Sequence, residues 1–286
     1  MTDNFKELPE IQNTEPKIPL RINQVGVENV EVPFKLELKT GGFESMVANV
    51  SMRADLEPDI KGVSMSRFIR TLKNYLSQPL NHELCFNILQ DLIDNLEVNE
   101  TYMSFKFKMP ISRKSIKSDN EFPMYHDCMF EAHLIRNEKN QEVRFFQGVR
   151  VQYASYCPCS AELCNHAGEG FPHAQRSFTN IIVEIDPSND NKIWLEDIIH
   201  SVENAIHTLP YPIIKREDEQ EIARIAANNP IFVEDAIRSI STQIDSMVGV
   251  KDWIVKCIHE ESIHSSDAIA VNYKGIVGGF DHKYFL

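Results

Sequence analysis

Hydrophobic positions change their period several times along the chain. Met46, Ala48, Val50, Met52 and Ala54 alternate strictly with other residues, the period of a half-buried strand. Residues 21–39 alternate Val, Ile and Phe with polar residues, and Gly41-Gly42 marks the turn between the two segments. At Ser64 the period lengthens. Met65, Phe68, Ile69, Leu72, Tyr75 and Leu76 form one helical stripe, ended by Pro79. Leu84, Ile88, Leu89, Leu92 and Leu96 share the face of a second helix. Met103, Phe105, Phe107 and Met109 return to alternation, and residues 123–135 read as another strand.

After a polar turn at 137–141 the same order recurs. Residues 143–156 and 176–185 read as strands. Leu195, Ile198, Ile199, Val202, Ile206 and Leu209 mark a helix, ended near Pro210 and Pro212. A helical region at 217–247 is interrupted at Pro230 and carries the stripe Phe232, Val233, Ala236, Ile237, Ile240 and Ile244. Strands at 252–259 and 268–273 close the series. This order predicts an α+β protein of two tandem β-β-α-α-β-β units, with antiparallel sheets and helices on one face. The units span 20–138 and 139–274. A disordered arm (1–19) precedes them and a tail (275–286) follows.

Composition narrows the function. The chain has 286 residues, 42% hydrophobic and 25% charged, an ordinary globular balance. Its net charge of -13 opposes binding to nucleic acid or an anionic membrane, so a polyanionic ligand needs a local basic pocket. No apolar run is long enough to span a bilayer. The polar N-terminal residues lack a basic-then-apolar signal pattern, and a cytoplasmic location is expected. Six cysteines in a reducing compartment then read as core residues, ligands or nucleophiles. Cys85, Cys128 and Cys257 lie in periodic apolar segments and read as core fillers. Cys157, Cys159 and Cys164 cluster, and packing does not explain them.

The cluster belongs to Y-C-P-C-S-A-E-L-C-N-H-A-G-E-G-F-P-H-A-Q-R-S at 156–177, read as a connecting loop between strands. Thiolate and imidazole together suit zinc and other first-row metals. A structural zinc knot would use Cys157, Cys159, Cys164 and either His166 or His173. The tight C-P-C spacing instead favours one cysteine as ligand and the other as a separate reactive group. Four further segments hold chemistry. Lys215-Arg216-Glu217-Asp218-Glu219 reads by itself as a solvated charge run at a helix start. Glu234 and Asp235, ahead of an apolar stripe, read as capping residues. His259-Glu260-Glu261-Ser262-Ile263-His264 is a polar turn between the last strands. Ser64-Met65-Ser66-Arg67 suits either a phosphate cradle or plain N-capping by Ser64.

Taken in order, these segments resemble the type IB GTP cyclohydrolase I family. The matching motifs are M-S-R at 65–67, C-P-C-S at 157–160, H-x-Q-R at 173–176, K-R-x-D-E at 215–219, N-P-x-F-V-E-D at 229–235 and E-S-I-H at 261–264. The resemblance implies tandem tunnelling-fold units assembled as a homotetramer, with active sites at subunit interfaces. It implies one divalent metal (Zn, Mn or Fe) on Cys157, His173 and Glu219; the H-x-Q-R context selects His173 over His166. It implies that Glu234 anchors guanine and that Cys159 and His264 act in catalysis. The triphosphate of GTP would meet Arg67, Ser66, Arg176 and Lys215, with Arg216 a further candidate. Three ligands leave a position open for a water that attacks guanine C8, with His264 protonating N7. Two alternatives remain. One is a nitrile reductase of the same fold, with a covalent adduct on Cys157 or Cys159. The other is a structural metal protein without activity.

Overall fold

The computed structural model describes residues 11–12, 14–137, 140–189 and 191–285. Most of the arm expected at 1–19 lies outside the described residues. Strands β1 (Ile22–Glu37) and β2 (Phe43–Leu56) form an antiparallel hairpin that sets Val32 opposite Ala48 and Phe34 opposite Met46. The turn needs Gly41 and Gly42, whose φ of +90° and +85° is open to glycine at little cost. The chain continues through α1 (Met65–Lys73), β3 (Pro79–Leu80), α2 (His82–Leu96), β4 (Glu100–Lys114), β5 (Glu121–Arg136) and β6 (Gln141–Tyr156). Then come α3 (Pro158–Ala167), β7 (Ala174–Ile185), α4 (Leu195–Ala205), α5 (Arg216–Asn228), α6 (Val233–Asp245), β8 (Val250–His259) and β9 (Ala268–Tyr273).

Two tandem tunnelling-fold units, each with its own antiparallel sheet, are not what forms. Among the described residues the strands make one nine-stranded sheet, in the order β3-β1-β2-β4-β5-β6-β7-β8-β9. The sheet is mixed, because β3 runs parallel to β1 at Lys35 and Leu36. The polar turn at 137–141 joins β5 to β6, which are hydrogen-bonded neighbours. Asn137 N–H donates to Asn140 O at 2.8 Å, and Asn140 N–H returns to Asn137 O at 3.3 Å. Polarity marks a turn, but a hairpin and a linker share that signal.

Contacts gather the residues into two compact units, one holding residues up to Phe107 with Phe130–Phe145, the other Lys108–Met129 with residues from Phe146 on. In the first, Asn81 caps α2 by accepting from Leu84 N–H at 2.7 Å, and Glu97 ends the helix in the left-handed region. Helix α2 buries Leu84, Cys85, Ile88, Leu89, Leu92, Ile93 and Leu96. Thr101 Oγ1 donates to Leu89 O at 3.2 Å and pins the helix to β4. Each such apolar side chain contributes roughly 1.5–3 kcal/mol on burial.

In the second unit, β7 and β8 pair in a register that sets Ser177 opposite His259. Ile181, Val183, Val255 and Cys257 are buried in their cores. Helix α6 is fastened to β8, with Trp253 Nε1 donating to Asp245 Oδ1 at 2.9 Å. The three cysteines read as core fillers are buried. Burial pushes the Cys85 and Cys128 thiols up to about 12 and that of Cys257 to about 11. The expected tail is clasped to β8 at Gly275 and Phe280. The Asp252 carboxylate accepts from Gly275 N–H at 2.9 Å and Phe280 N–H at 2.8 Å, and Phe280 packs on Phe146 and Ile254. No helix among the described residues is long and apolar enough to cross a membrane.

Candidate active site

The Cys-rich segment is not the loop its composition predicts. Cys157 leaves β6 and becomes the N-cap of the ten-residue helix α3, with Pro158 in its first turn and Gly168 closing it at φ 73°. Helix α3 buries no residue, so no apolar stripe announced it. Cys159 is exposed on its first turn, His166 exposed on its last, and Cys164 half-buried.

Two of the expected metal donors meet at the ends of β6 and β7. Cys157 N–H donates to His173 O at 3.1 Å, and His173 N–H donates to Ser160 Oγ at 3.3 Å. Both side chains are half-buried. His173 Nδ1 lies 3.1 Å from Gln175 Oε1 and 3.9 Å from Glu261 Oε2. Gln175 Nε2 reaches Glu261 Oε1 at 3.4 Å. Gln175 and Glu261 carry no role by residue type alone, although they stand in the H-x-Q-R and E-S-I-H motifs.

On the other side of Cys157, Ile231 N–H donates to Tyr156 O at 2.9 Å. That bond fastens the lead into α6 beside the site. Glu234, exposed in the first turn of α6, exerts its charge on His259 of β8. His259 is buried and its ring nitrogen Nε2 lies 2.9 Å from Tyr153 Oη. Burial pushes its pKa down to about 4, and Glu234 opposes the shift.

Glu219 and Lys215 stand exposed at the start of α5. The charge run there is not merely solvated, because Asp218 within it is fully buried. Asp218 Oδ1 accepts from Lys117 N–H (2.7 Å) and Ser118 N–H (2.9 Å). Its Oδ2 accepts from Lys215 N–H (2.8 Å) and Ser118 Oγ (2.5 Å). Burial alone would raise this carboxyl, but the Ser118 hydroxyl and the three N–H groups outweigh it and hold it well below the ordinary carboxylate range. Asp218 thus staples the β4–β5 turn to the helix that carries Glu219. Its place as the third residue of a helix was the available signal.

His264 is exposed between β8 and β9, and Arg176 is exposed on β7. Ser66 and Arg67 belong to α1, in the other compact unit. Ser64 makes no side-chain cap; its hydroxyl lies 3.2 Å from that of Ser66, which accepts from Arg70 Nη2 at 2.8 Å. Arg67 Nη1 donates to Asn95 O at 2.9 Å. Among the described residues, no group of three or more His, Cys, Asp and Glu side chains is gathered as a metal cage. The structure brings Cys157 and His173 together through their backbone, and among the described residues no third His, Cys, Asp or Glu completes a metal cage with them.

Solved structures share the architecture. A uricase from Bacillus fastidious is 10% identical, with a TM-score of 0.52 over 88% of this chain and 93% of that one. A uricase from Arthrobacter globiformis is 7% identical, with a TM-score of 0.52 over 91% and 96%. This likeness concerns the fold alone. It extends over nearly the whole chain, in keeping with one continuous sheet. A family model described as type I GTP cyclohydrolase folE2 matches residues 8–270, which sets the class as an enzyme acting on GTP. The chain belongs to the type I GTP cyclohydrolase folE2 family. It is 33% identical to the GTP cyclohydrolase FolE2 of Roseobacter denitrificans, over 96% of this chain and 76% of that protein. It is 30% identical to the FolE2 of Dictyoglomus turgidum, over 94% and 98%.

Proposed function

We propose that this GTP cyclohydrolase converts GTP and water to 7,8-dihydroneopterin triphosphate and formate, with a divalent metal on Cys157, His173 and Glu219. The observation that carries the reading is the backbone bond between Cys157 and His173, which sets a thiol-bearing and an imidazole-bearing residue side by side where β6 ends and β7 begins. Sulfur, nitrogen and carboxylate donors fit Zn²⁺, Mn²⁺ or Fe²⁺. With Nδ1 of His173 turned to Gln175, its Nε2 is the nitrogen left for a ligand. A metal bound there supplies Lewis acidity and lowers the pKa of a coordinated water.

The chain's own groups do the rest. Glu234 accepts from the paired N–H donors on the guanine edge and fixes the ring. His264 delivers a proton to N7 as water adds at C8, and the C8–N bond opens. Cys159 moves protons during the second hydrolysis, which releases C8 as formate. The ribose then rearranges and the pterin ring closes. Arg67, Arg176 and Lys215, with the Ser66 hydroxyl, neutralise the triphosphate in an otherwise acidic protein. Glu219, Glu234, Cys159 and His264 all stand on solvent-facing positions of the single chain. That exposure leaves them available to a neighbouring subunit, and the reading includes a homotetramer whose sites are completed between subunits and a cytoplasmic location. The test is GTP carrying ¹³C at C8, followed by NMR. The label should leave as formate and be missing from the pterin. A pterin that retains the label would overturn the reading.

A further inference from the structure

We infer that Glu261 and Gln175 are positioning residues that fix the tautomer of His173 and aim its Nε2 lone pair at the metal; the inference rests on the metal reading above. The fold brings the three together by strand register. Ser177 pairs with His259, and Glu260 N–H donates to Arg176 O at 3.0 Å beyond the strand end. That extra rung carries Glu261 alongside Gln175. Gln175 is only 7% exposed, so its amide has few partners to choose from.

The direction of the relay follows from donor and acceptor chemistry. An ionised carboxylate only accepts hydrogen bonds. Glu261 Oε1 lies 3.4 Å from the Gln175 amide and therefore selects its NH₂ end. The carbonyl end, Oε1, is then turned to His173 Nδ1 at 3.1 Å. A carbonyl oxygen accepts and cannot donate, so Nδ1 must carry the ring proton. Nε2 is left with its lone pair, the form that binds a metal. Were the proton on Nε2 instead, the amide would have to flip. Its carbonyl would then face the Glu261 carboxylate, two acceptors without a hydrogen between them. The carboxylate thus acts through an amide rather than by touching the ring, from which its Oε2 is 3.9 Å away.

The test uses the full-length, metal-free protein and Zn²⁺ alone as the probe. Zn²⁺ affinity is measured by competition with a chromophoric chelator, and the His173 tautomer by ¹⁵N-imidazole NMR. The wild type should show Nδ1 protonated. Glu261→Leu, which removes the acceptor, should weaken Zn²⁺ binding by about 10- to 100-fold and abolish the single-tautomer signature. Gln175→Leu should do the same if it folds. Glu261→Leu with wild-type affinity, or with weakened affinity and an unchanged tautomer, overturns the inference; the second result would make Glu261 a ligand itself. His173→Ala separates the two levels. If it keeps wild-type affinity, the metal reading has failed. If it loses affinity while Glu261→Leu does not, only the relay has.

Discussion

Cys157 and His173 are joined by a single backbone hydrogen bond, N–H to O at 3.1 Å, that closes the α3 excursion between two neighbouring strands. The bond uses no side-chain atom. Cys157→Ala and His173→Ala should therefore fold normally by circular dichroism. Each should lose bound Zn²⁺ and lower kcat/KM for formate release by at least about 100-fold. Activity within a factor of a few of the wild type would exclude both as ligands.

Asp218 fastens the β4–β5 turn to the start of α5 through four hydrogen bonds. Asp218→Ala strands three backbone N–H groups and one hydroxyl. We expect the thermal midpoint to fall by about 5 °C or more. Because Glu219 and Lys215 ride on that helix, KM for GTP should rise as well. The hub also has a pH signature. A carboxyl held below its unfolded value stabilises the fold above the unfolded pKa and loses that contribution as pH falls through the folded one. The Asp218→Ala variant should lose less stability than the wild type on acidification below about pH 4.

Gly279 sits against Asp252 so closely that an added Cβ would lie 1.9 Å from Oδ2. Gly279→Ala should prise the clasp open, releasing Phe280 from Phe146 and Ile254. Limited proteolysis should then cleave near the C-terminus faster than in the wild type. Unchanged cleavage would show that the clasp tolerates the methyl group.

His259 is buried neutral beside Tyr153, with a pKa lowered to about 4. Unfolded, a histidine titrates near 6.5. Between those values the unfolded chain binds more protons, so stability from this group falls as pH drops through that window, by about 1.4 kcal/mol per unit. Denaturant melts of His259→Gln should show a flatter pH dependence from 6.5 to 4. A slope equal to that of the wild type would remove His259 from the account.

Local period was the readable part of the fold. The alternation at 46–54 lies within β2, the stripes from Leu84 and from Phe232 became α2 and α6, and residues 268–273 became β9. Helix α3 stayed hidden because it buries nothing, and hydrophobic period only reports burial. The single sheet stayed hidden for another reason. Period tells which face of a strand is covered, not which strand lies beside it. The site divides in the same way. Thiol, imidazole and carboxylate are chemically conspicuous as residue types. Gln175 and Glu261 acquire meaning only from cross-strand neighbours that exist once the chain has folded, and Asp218, whose place in the first turn of a helix hints at capping, gains the rest of its role from the β4–β5 turn.

The most direct measurement of the central claim is formate release and oxidised-pterin fluorescence from purified protein given GTP with Mn²⁺ or Zn²⁺, with and without chelator, alongside Cys157→Ala. Equimolar formate and pterin are expected, and both should disappear with chelator and in the variant. Folded, metal-supplemented protein that yields no formate, or formate indifferent to both chelator and Cys157→Ala, would contradict it.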